Sequence, residues 1–206
     1  MVVKRFFALS EFAGYLSVDK HRLDASEKYR EEAFYKIFPP TVHRGPKQSP
    51  TLRWIYNRCC DGRGVVTPRD VIDLLSRAKQ KQCDECVANI EGTSNCIVGT
   101  SALQYGLSEL SKTKRRNYLE AEFPHWWTSI EKFIGGKSEY DEGSLRKLFS
   151  KEWASIADDL SSIGLLQKIK RRGELIYSIP PLYRQGLEVT QLRGKQRINT
   201  DKKWGA

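Results

Sequence analysis

The run GGKS at positions 135–138 has the ending of a phosphate-binding loop, in which backbone N–H groups wrap the phosphates of a nucleotide. That loop needs the pattern G-x-x-x-x-G-K-[ST] between a strand and a helix. The first glycine would stand at position 131, which is Glu131, and the run follows a predicted helix. We therefore interpret it as a helix end and a turn. The three histidines form no Ser/His/Asp pattern, so we predict no catalytic residues and no enzyme activity of the chain alone.

The five cysteines lie between Cys59 and Cys96, and two of them have the spacing Cys83-x-x-Cys86. A structural zinc site needs four thiolate or imidazole ligands, and no second C-x-x-C pair is present. We predict no metal site and interpret these thiols as incidental to a loop. No apolar run is long enough for a membrane span or a signal peptide. Reduced thiols, a cytoplasmic location and no membrane partner are therefore expected.

Four basic residues gather in a predicted hairpin near the carboxyl end of the chain: Lys168, Lys170, Arg171 and Arg172. The chain has a net charge of +10, and residues 151–206 supply half of it, with 11 basic and 6 acidic residues. Such a cluster can neutralise nucleic-acid phosphates. The preceding helix, at about residues 152–163, contains three carboxylates and no Lys or Arg, so it would be repelled from a DNA groove. Non-specific phosphate contact and packing against a partner both stay open, and packing is favoured.

The elements that would position these residues are mostly helices. Apolar residues three and four apart predict a helix from about residue 25, and Ser49-Pro50 predicts the start of another. The clearest start is Thr67-Pro68, a good N-cap followed by proline in the first turn. Residues 82–100 lack a period and predict a loop or insertion. Helices are predicted again at about 101–107 and 110–122.

From residue 143 the pattern changes to two short helices, a strand at 165–170, a turn and a returning strand at 175–179. Helix, helix and hairpin form the order of a winged helix, with the hairpin as its wing. The predicted fold is mainly α, with three parts. These are a helical bundle over residues 1–136, a winged-helix domain with one small β-hairpin over 137–192, and a basic, disordered tail over 193–206.

Six blocks of sequence are distinctive together: FYKIFP at 34–39, TLRWI at 51–55, DGRGVVTPRDVIDLL at 61–75, IGLL at 163–166, YSIP at 177–180 and LYR at 182–184. They resemble the region after the nucleotide-binding core in a bacterial family of P-loop ATPases of the AAA/STAND type. The similarity covers nearly all of residues 1–192 apart from the cysteine-bearing loop. It implies a helical lid followed by a winged helix. The family's P-loop and acidic Mg²⁺-binding strand are not among these 206 residues, so a separate core is expected to supply them.

Arg69 is the residue to which the resemblance gives a role. It directly follows Pro68, where the family's lid arginine would stand. The resemblance implies that Arg69 contacts the γ-phosphate of a nucleotide held by that core. The alternative is a solvated arginine, or one that pairs with Asp73 four residues further on. ATP and Mg²⁺ are implied only for the core, and no cofactor is expected in this chain.

The expected function is therefore regulatory. The chain would be the C-terminal region of a P-loop ATPase and would couple nucleotide state to a winged-helix interaction module, with no catalysis of its own. Its partner would be the ATPase core, in cis or in trans. The alternative is a nucleic-acid-binding winged-helix protein that makes non-specific phosphate contacts through the basic wing and tail.

Overall fold

The computed structural model of the chain describes Gly14 and residues 16–88 and 96–190. This part is mainly helical and contains one small antiparallel sheet, which confirms the predicted fold class. The helices are α1 (Lys20–Ala25), α2 (Glu27–Tyr35), α3 (Thr51–Cys59), α4 (Pro68–Val87), α5 (Thr100–Lys114), α6 (Trp127–Ile130), α7 (Glu142–Phe149), α8 (Trp153–Ser162) and α9 (Pro181–Arg184). The strands are β1 (Glu139–Tyr140), β2 (Gln167–Arg171) and β3 (Glu174–Ser178). None of the helices in the described ranges has the length and apolar character that crossing a lipid bilayer requires.

The two longest helices, α4 and α5, pack along each other at the centre of the helical part. Helix α4 begins as the sequence predicts, because the Thr67 hydroxyl accepts a hydrogen bond from the Asp70 N–H at 3.1 Å and Pro68 opens the first turn. The helices are in close contact at Gly106 in α5, where any Cβ would collide with the backbone oxygen of Leu74. The start of α4 and its pairing with α5 are thus set by local capping and by one small residue.

The prediction of a loop over residues 82–100 is wrong at its beginning, because α4 continues to Val87. Side chains one turn apart support this extension: Gln80 bonds to Asp84 at 2.8 Å, and Lys81 pairs with Glu85 at 3.5 Å. An apolar period is missing because the end of the helix is largely exposed and no core selects one. The rest of that loop at 89–95, and the predicted tail at 193–206, lie outside the described residues.

The two helices predicted at 101–107 and 110–122 are one helix in the structure. Helix α5 runs through Lys114 without a break and continues as a π-helical turn over Arg115–Glu120. Leu103, Leu107, Leu110 and Leu119 are buried along it. The same apolar side therefore continues through both predicted segments, so the spacing of the apolar residues does not indicate an end of the helix between them.

Residues 139–178 have the element order β1, α7, α8, β2, β3 and the sheet order β1-β3-β2, with both pairs antiparallel. Strands β2 and β3 are joined by Arg172 and Gly173, whose φ angles are 53° and 87°. Two successive positive φ angles are what a two-residue type I′ hairpin turn requires. The predicted helix–helix–hairpin order of a winged helix is therefore present. Strand β1, which the sequence did not reveal, is only two residues long, too short for alternation to indicate it.

Helix α9 follows the hairpin and packs back onto α5 and α3 in the helical part. Its Leu182 and Tyr183 are buried. The buried apolar residues of the helical part and of the winged helix belong to one hydrophobic cluster. A domain boundary near residue 137 stays a prediction. The hydrophobic cluster and the packing of α9 connect the residues before this position with those after it.

Candidate functional site

Arg69 is exposed in the first turn of α4, at the edge of an open groove of about 590 Å³ between the start of α4 and the end of α5. Asp73, its possible partner, instead bonds to Arg77, with Oδ1 of Asp73 3.0 Å from Nε of Arg77. Among the described residues, no side chain forms a hydrogen bond or ion pair with Arg69. The guanidinium is therefore exposed beside the groove with no side-chain partner among the described residues.

A buried ion pair holds the start of α4 in place next to Arg69. The carboxylate of Asp70 lies 3.2 Å from the ammonium group of Lys114 at the end of α5, and these side chains are only 6% and 17% exposed. Lys114 also lies 4.6 Å from the centre of the Tyr118 ring. A buried carboxylate and a buried ammonium group stabilise each other by this contact, because either charge without the other would be strongly unfavourable in the interior. The backbone that carries Arg69 is thus tied to α5.

The turn immediately before α4 is organised by Asp61, a carboxylate only 8% exposed. Its Oδ1 accepts hydrogen bonds from the N–H groups of Arg63 and Val65, both at 2.9 Å. Its Oδ2 accepts one from Nε of Arg63 at 3.0 Å, and this bond raises the pKa of the Arg63 guanidinium. One side chain thereby closes the whole turn from residue 61 to residue 65.

This turn contacts the winged helix where α8 ends. The N–H of Gly62 donates to the carbonyl of Gly164 at 2.7 Å. A Cβ on Gly62 would lie 2.5 Å from the carbonyl oxygen of Leu166, so glycine is the residue that fits. The hydroxyl of Tyr118 donates to the carbonyl of Ile163 at 3.0 Å. We call residues 61–64, Tyr118 and residues 163–166 the junction.

The junction is an arrangement that sequence reasoning missed. It brings together DGRG at 61–64 and IGLL at 163–166, which lie in two of the six distinctive blocks and are about a hundred residues apart in the chain. The signal for a close approach was the glycine in each, at Gly62 and Gly164, the latter with a φ of 81°. Neither block indicates the other as its partner, because spacing predicts only local contacts.

A second set of contacts joins the helical part to the segment after the hairpin. The N–H of Gly186 donates to the hydroxyl of Ser111 at 2.8 Å, and the Arg115 guanidinium donates to the carbonyl of Gly186 at 3.1 Å. The rings of Tyr118 and Tyr183 stack with their centres 6.5 Å apart. Burial raises the pKa of the Tyr183 hydroxyl. The winged helix is thus held to the bundle on two sides.

The four cations predicted for the wing fall into two groups. Lys168 pairs with Asp158 of α8 at 2.6 Å, and Arg171 forms two bonds to Glu139 of β1 at 2.9 and 3.1 Å. These hydrogen bonds raise the pKa of Lys168 and that of Arg171. Lys170 and Arg172 are exposed, and in the described part of the chain neither has a side-chain hydrogen bond or ion pair. Half of the predicted basic tip is therefore neutralised by neighbouring carboxylates.

The GGKS run at 135–138 is a turn, as predicted. Gly135 has a φ of 69° just after a short helical segment that ends at Phe133. The N–H groups of Gly135, Gly136 and Lys137 donate to the carbonyls of Leu187 and Phe133 and to the Tyr140 hydroxyl, at 2.9 to 3.0 Å. Because these amide hydrogens already have acceptors inside the protein, the run cannot wrap a phosphate in this conformation.

The cysteines occupy contrasting environments. Cys59 is buried, Cys60 and Cys96 are partly buried, and Cys83 and Cys86 are exposed on α4, so these two stand on a helix where a loop was predicted. Within residues 16–88 and 96–190, no three His, Cys, Asp or Glu side chains form a group that could hold a metal ion. Burial, followed by the charge of Asp70, raises the pKa of the Cys59 thiol to about 12.

We expect Cys83 and Cys86 to react rapidly with an aromatic disulfide reagent at mildly alkaline pH, and Cys59 to remain unreactive until the protein unfolds. The thiolate is the reacting species, and the environment of Cys59 disfavours it. The measurement is the fast release of chromophore from the folded protein compared with the total released in guanidinium. A double variant, Cys83→Ser with Cys86→Ser, should lose most of the fast phase. A fast phase that instead disappears in Cys59→Ala would contradict the structure.

No family model, curated protein or solved structure matches this chain. The resemblance to P-loop ATPases therefore stays a prediction that rests on the six blocks of sequence.

Proposed function

We propose that this chain is the regulatory C-terminal region of a P-loop ATPase and couples nucleotide state to its winged helix, with no catalysis of its own. The observation that carries the proposal is the junction. The turn that contacts the end of α8 ends at Val65, and α4 begins at Pro68, directly before Arg69. The candidate nucleotide contact and the winged helix are thus only a few residues apart along a closely packed path.

Coupling would follow from how the start of α4 is held. A γ-phosphate that attracts Arg69 would pull on a helix end which the Asp70–Lys114 pair ties to α5 and the junction ties to α8. Packed elements shift as units and deform little, so a small displacement at Arg69 would move the winged helix relative to the core. In one nucleotide state the winged helix would hold the core inactive, and in the other it would be released to a partner.

The neutralised wing favours this function over nucleic-acid binding by the wing. Lys168 and Arg171 are already engaged with Asp158 and Glu139, which leaves Lys170 and Arg172 as the described wing contacts for phosphate. Each phosphate contact adds to affinity through release of a counterion, so two contacts support only weak binding. The same two ion pairs link the wing to α8 and β1.

The test is Arg69→Ala in the assembly of this chain with its nucleotide-binding core. We expect ATP affinity or turnover to fall by about tenfold or more, since an arginine at a γ-phosphate stabilises charge that nothing else in this helix would reach. Lys79→Ala is the matched control, because it removes an exposed cation further along α4 and should change neither quantity.

Two results would count against the proposal. One is an Arg69→Ala assembly with the ATP affinity and turnover of the wild type. The other is ATP hydrolysis by the purified chain alone, at a rate that survives repeated purification. Arg69→Lys separates charge from shape, because lysine keeps the charge and loses the planar fork that binds a phosphate with two hydrogen bonds.

A further inference from the structure

The longest part of the sequence without an acidic residue runs from residue 33 to residue 60, between Glu32 and Asp61. It contains five basic residues: Lys36, Arg44, Lys47, Arg53 and Arg58. The segment therefore has a net charge of +5, which is half of the net charge of +10 of the whole chain. The segment comprises the end of α2, the loop that follows and all of α3, and neither Arg69 nor the wing belongs to it.

The basic loop is fastened to α3. The N–H of Thr51 donates to the carbonyl of Pro40 at 2.9 Å, and Thr41 forms an antiparallel bridge with Pro50. The indole N–H of Trp54 donates to Nε2 of His43 at 3.2 Å. The loop therefore closes at its base beside the helix, and most of its residues are exposed. Two of these are the cations Arg44 and Lys47, which make no side-chain hydrogen bond or ion pair within the described ranges.

One side of α3 is exposed and carries both apolar and basic groups. Thr51, Trp54, Ile55 and Cys59 face the core, whereas Leu52, Arg53, Tyr56 and Asn57 are exposed. Leu52 and Tyr56 are one turn apart on the same side, with exposed fractions of 43% and 54%. We call Arg44, Lys47, Leu52, Arg53, Tyr56 and Asn57 the α3 face.

We propose that the α3 face binds single-stranded nucleic acid, with phosphates at Arg44, Lys47 and Arg53 and a base stacked on the ring of Tyr56. Arg44, Lys47 and Arg53 are exposed and form no ion pair with a carboxylate of the described residues, so they can contact a phosphate backbone. An exposed aromatic ring stacks on any unpaired base, which makes such binding tolerant of sequence. This inference is independent of the proposed regulatory function.

The shape of the α3 face favours this occupant over an acidic peptide. Hot spots of protein–protein contact lie in well-packed pockets that bury the partner's apolar side chains. The α3 face is the outside of a helix with two apolar side chains, flanked by Arg53 and Asn57. A base needs only one flat ring and nearby cations, and the Asn57 amide offers both a donor and an acceptor to its edge.

The experiment measures the fluorescence anisotropy of a labelled oligothymidylate of about 20 nucleotides against the full chain over a series of salt concentrations. We expect Tyr56→Ala to weaken binding by about tenfold or more, and Tyr56→Phe to bind as the wild type does. The double variant Arg44→Gln with Arg53→Gln should reduce the slope of log affinity against log salt by about 1.4. The matched control is Lys170→Gln with Arg172→Gln, which removes two exposed wing cations and should leave affinity nearly unchanged.

Each contrary result overturns the proposal in a recognisable way. Absence of binding at low salt by the wild type shows that the α3 face has another role. Equal or greater loss in the wing variant places nucleic acid at the wing. Wild-type affinity in Tyr56→Ala, or equal competition by polyglutamate, shows general attraction of polyanions without a stacking site. All substituted residues are exposed, and far-ultraviolet circular dichroism confirms that each variant is folded.

Discussion

Replacing Asp61 with alanine should lower the free energy of unfolding by about 2–4 kcal/mol. The change removes the acceptor for the N–H groups of Arg63 and Val65 and the partner of the Arg63 guanidinium. The side chain of Asp61 is nearly buried, so water cannot fully replace it, whereas that of Arg63 is 47% exposed and recovers part of its solvation. Urea unfolding followed by tryptophan fluorescence measures the change.

Two variants separate the contributions at this turn. Asp61→Asn keeps an oxygen for the two backbone N–H groups and removes the charge that faces Arg63, so its loss should be clearly smaller. Asp141→Ala removes an aspartate that caps α7 through one exposed bond to the N–H of Ser144 at 2.7 Å, and its loss of stability should be smaller than that of Asp61→Ala. If Asp61→Ala costs no more than Asp141→Ala, the turn does not contribute as the structure indicates.

Asp61→Ala should also weaken the hydrogen bonds that the turn makes to the winged-helix side of the junction. The turn presents the N–H of Gly62 to the carbonyl of Gly164, and Arg63 extends towards the carbonyl of Ser162 at 3.4 Å. Without the carboxylate, both donors lose their alignment. Amide hydrogen exchange should therefore accelerate at Gly62 and in the last turn of α8 more than in α1 or α2, which lie outside the junction.

The sequence predicted those elements that depend on interactions between residues close together in the chain. The start of α4 at Thr67-Pro68 is a local capping signal, and the hairpin turn is specified by Gly173 and its flanking strands. The extension of α4 to Val87 has no apolar signal because exposed helix ends depend on pairs such as Gln80 with Asp84. The sequence therefore predicted the elements that local capping and turn residues specify, but it did not predict the exposed end of α4.

The site depended on contacts that spacing cannot reveal. Arg69 was singled out by its place in the sequence, and the groove beside it arises from the meeting of α4 and α5. The wing cations looked like one cluster, yet the pairing of β1 with β3 puts Glu139 within reach of Arg171, and the turn after α8 puts Asp158 beside Lys168. Charge along a sequence thus overstated charge in space, because the neutralising carboxylates came from other elements.

Gly106→Ala should lower the free energy of unfolding by about 1–3 kcal/mol, although alanine is the better helix former. A Cβ at this position in α5 would collide with the backbone oxygen of Leu74 and lie 3.1 Å from the backbone nitrogen of Ala78. Backbone of a helix cannot rotate away as a flexible side chain can, so α4 and α5 must move apart along their contact. Equilibrium unfolding in urea measures the loss.

Gly143→Ala is the matched control because it makes the same substitution inside a helix with room for the added methyl group. Its nearest neighbour would be Oδ1 of Asp141 at 3.6 Å, an ordinary contact. Here the smaller conformational freedom of alanine in the unfolded chain should dominate and raise the free energy of unfolding by about 0.4–1 kcal/mol. Opposite signs for the two variants identify the α4–α5 contact as the cause. If Gly106→Ala were stabilising as well, the two helices would not be packed as closely as described.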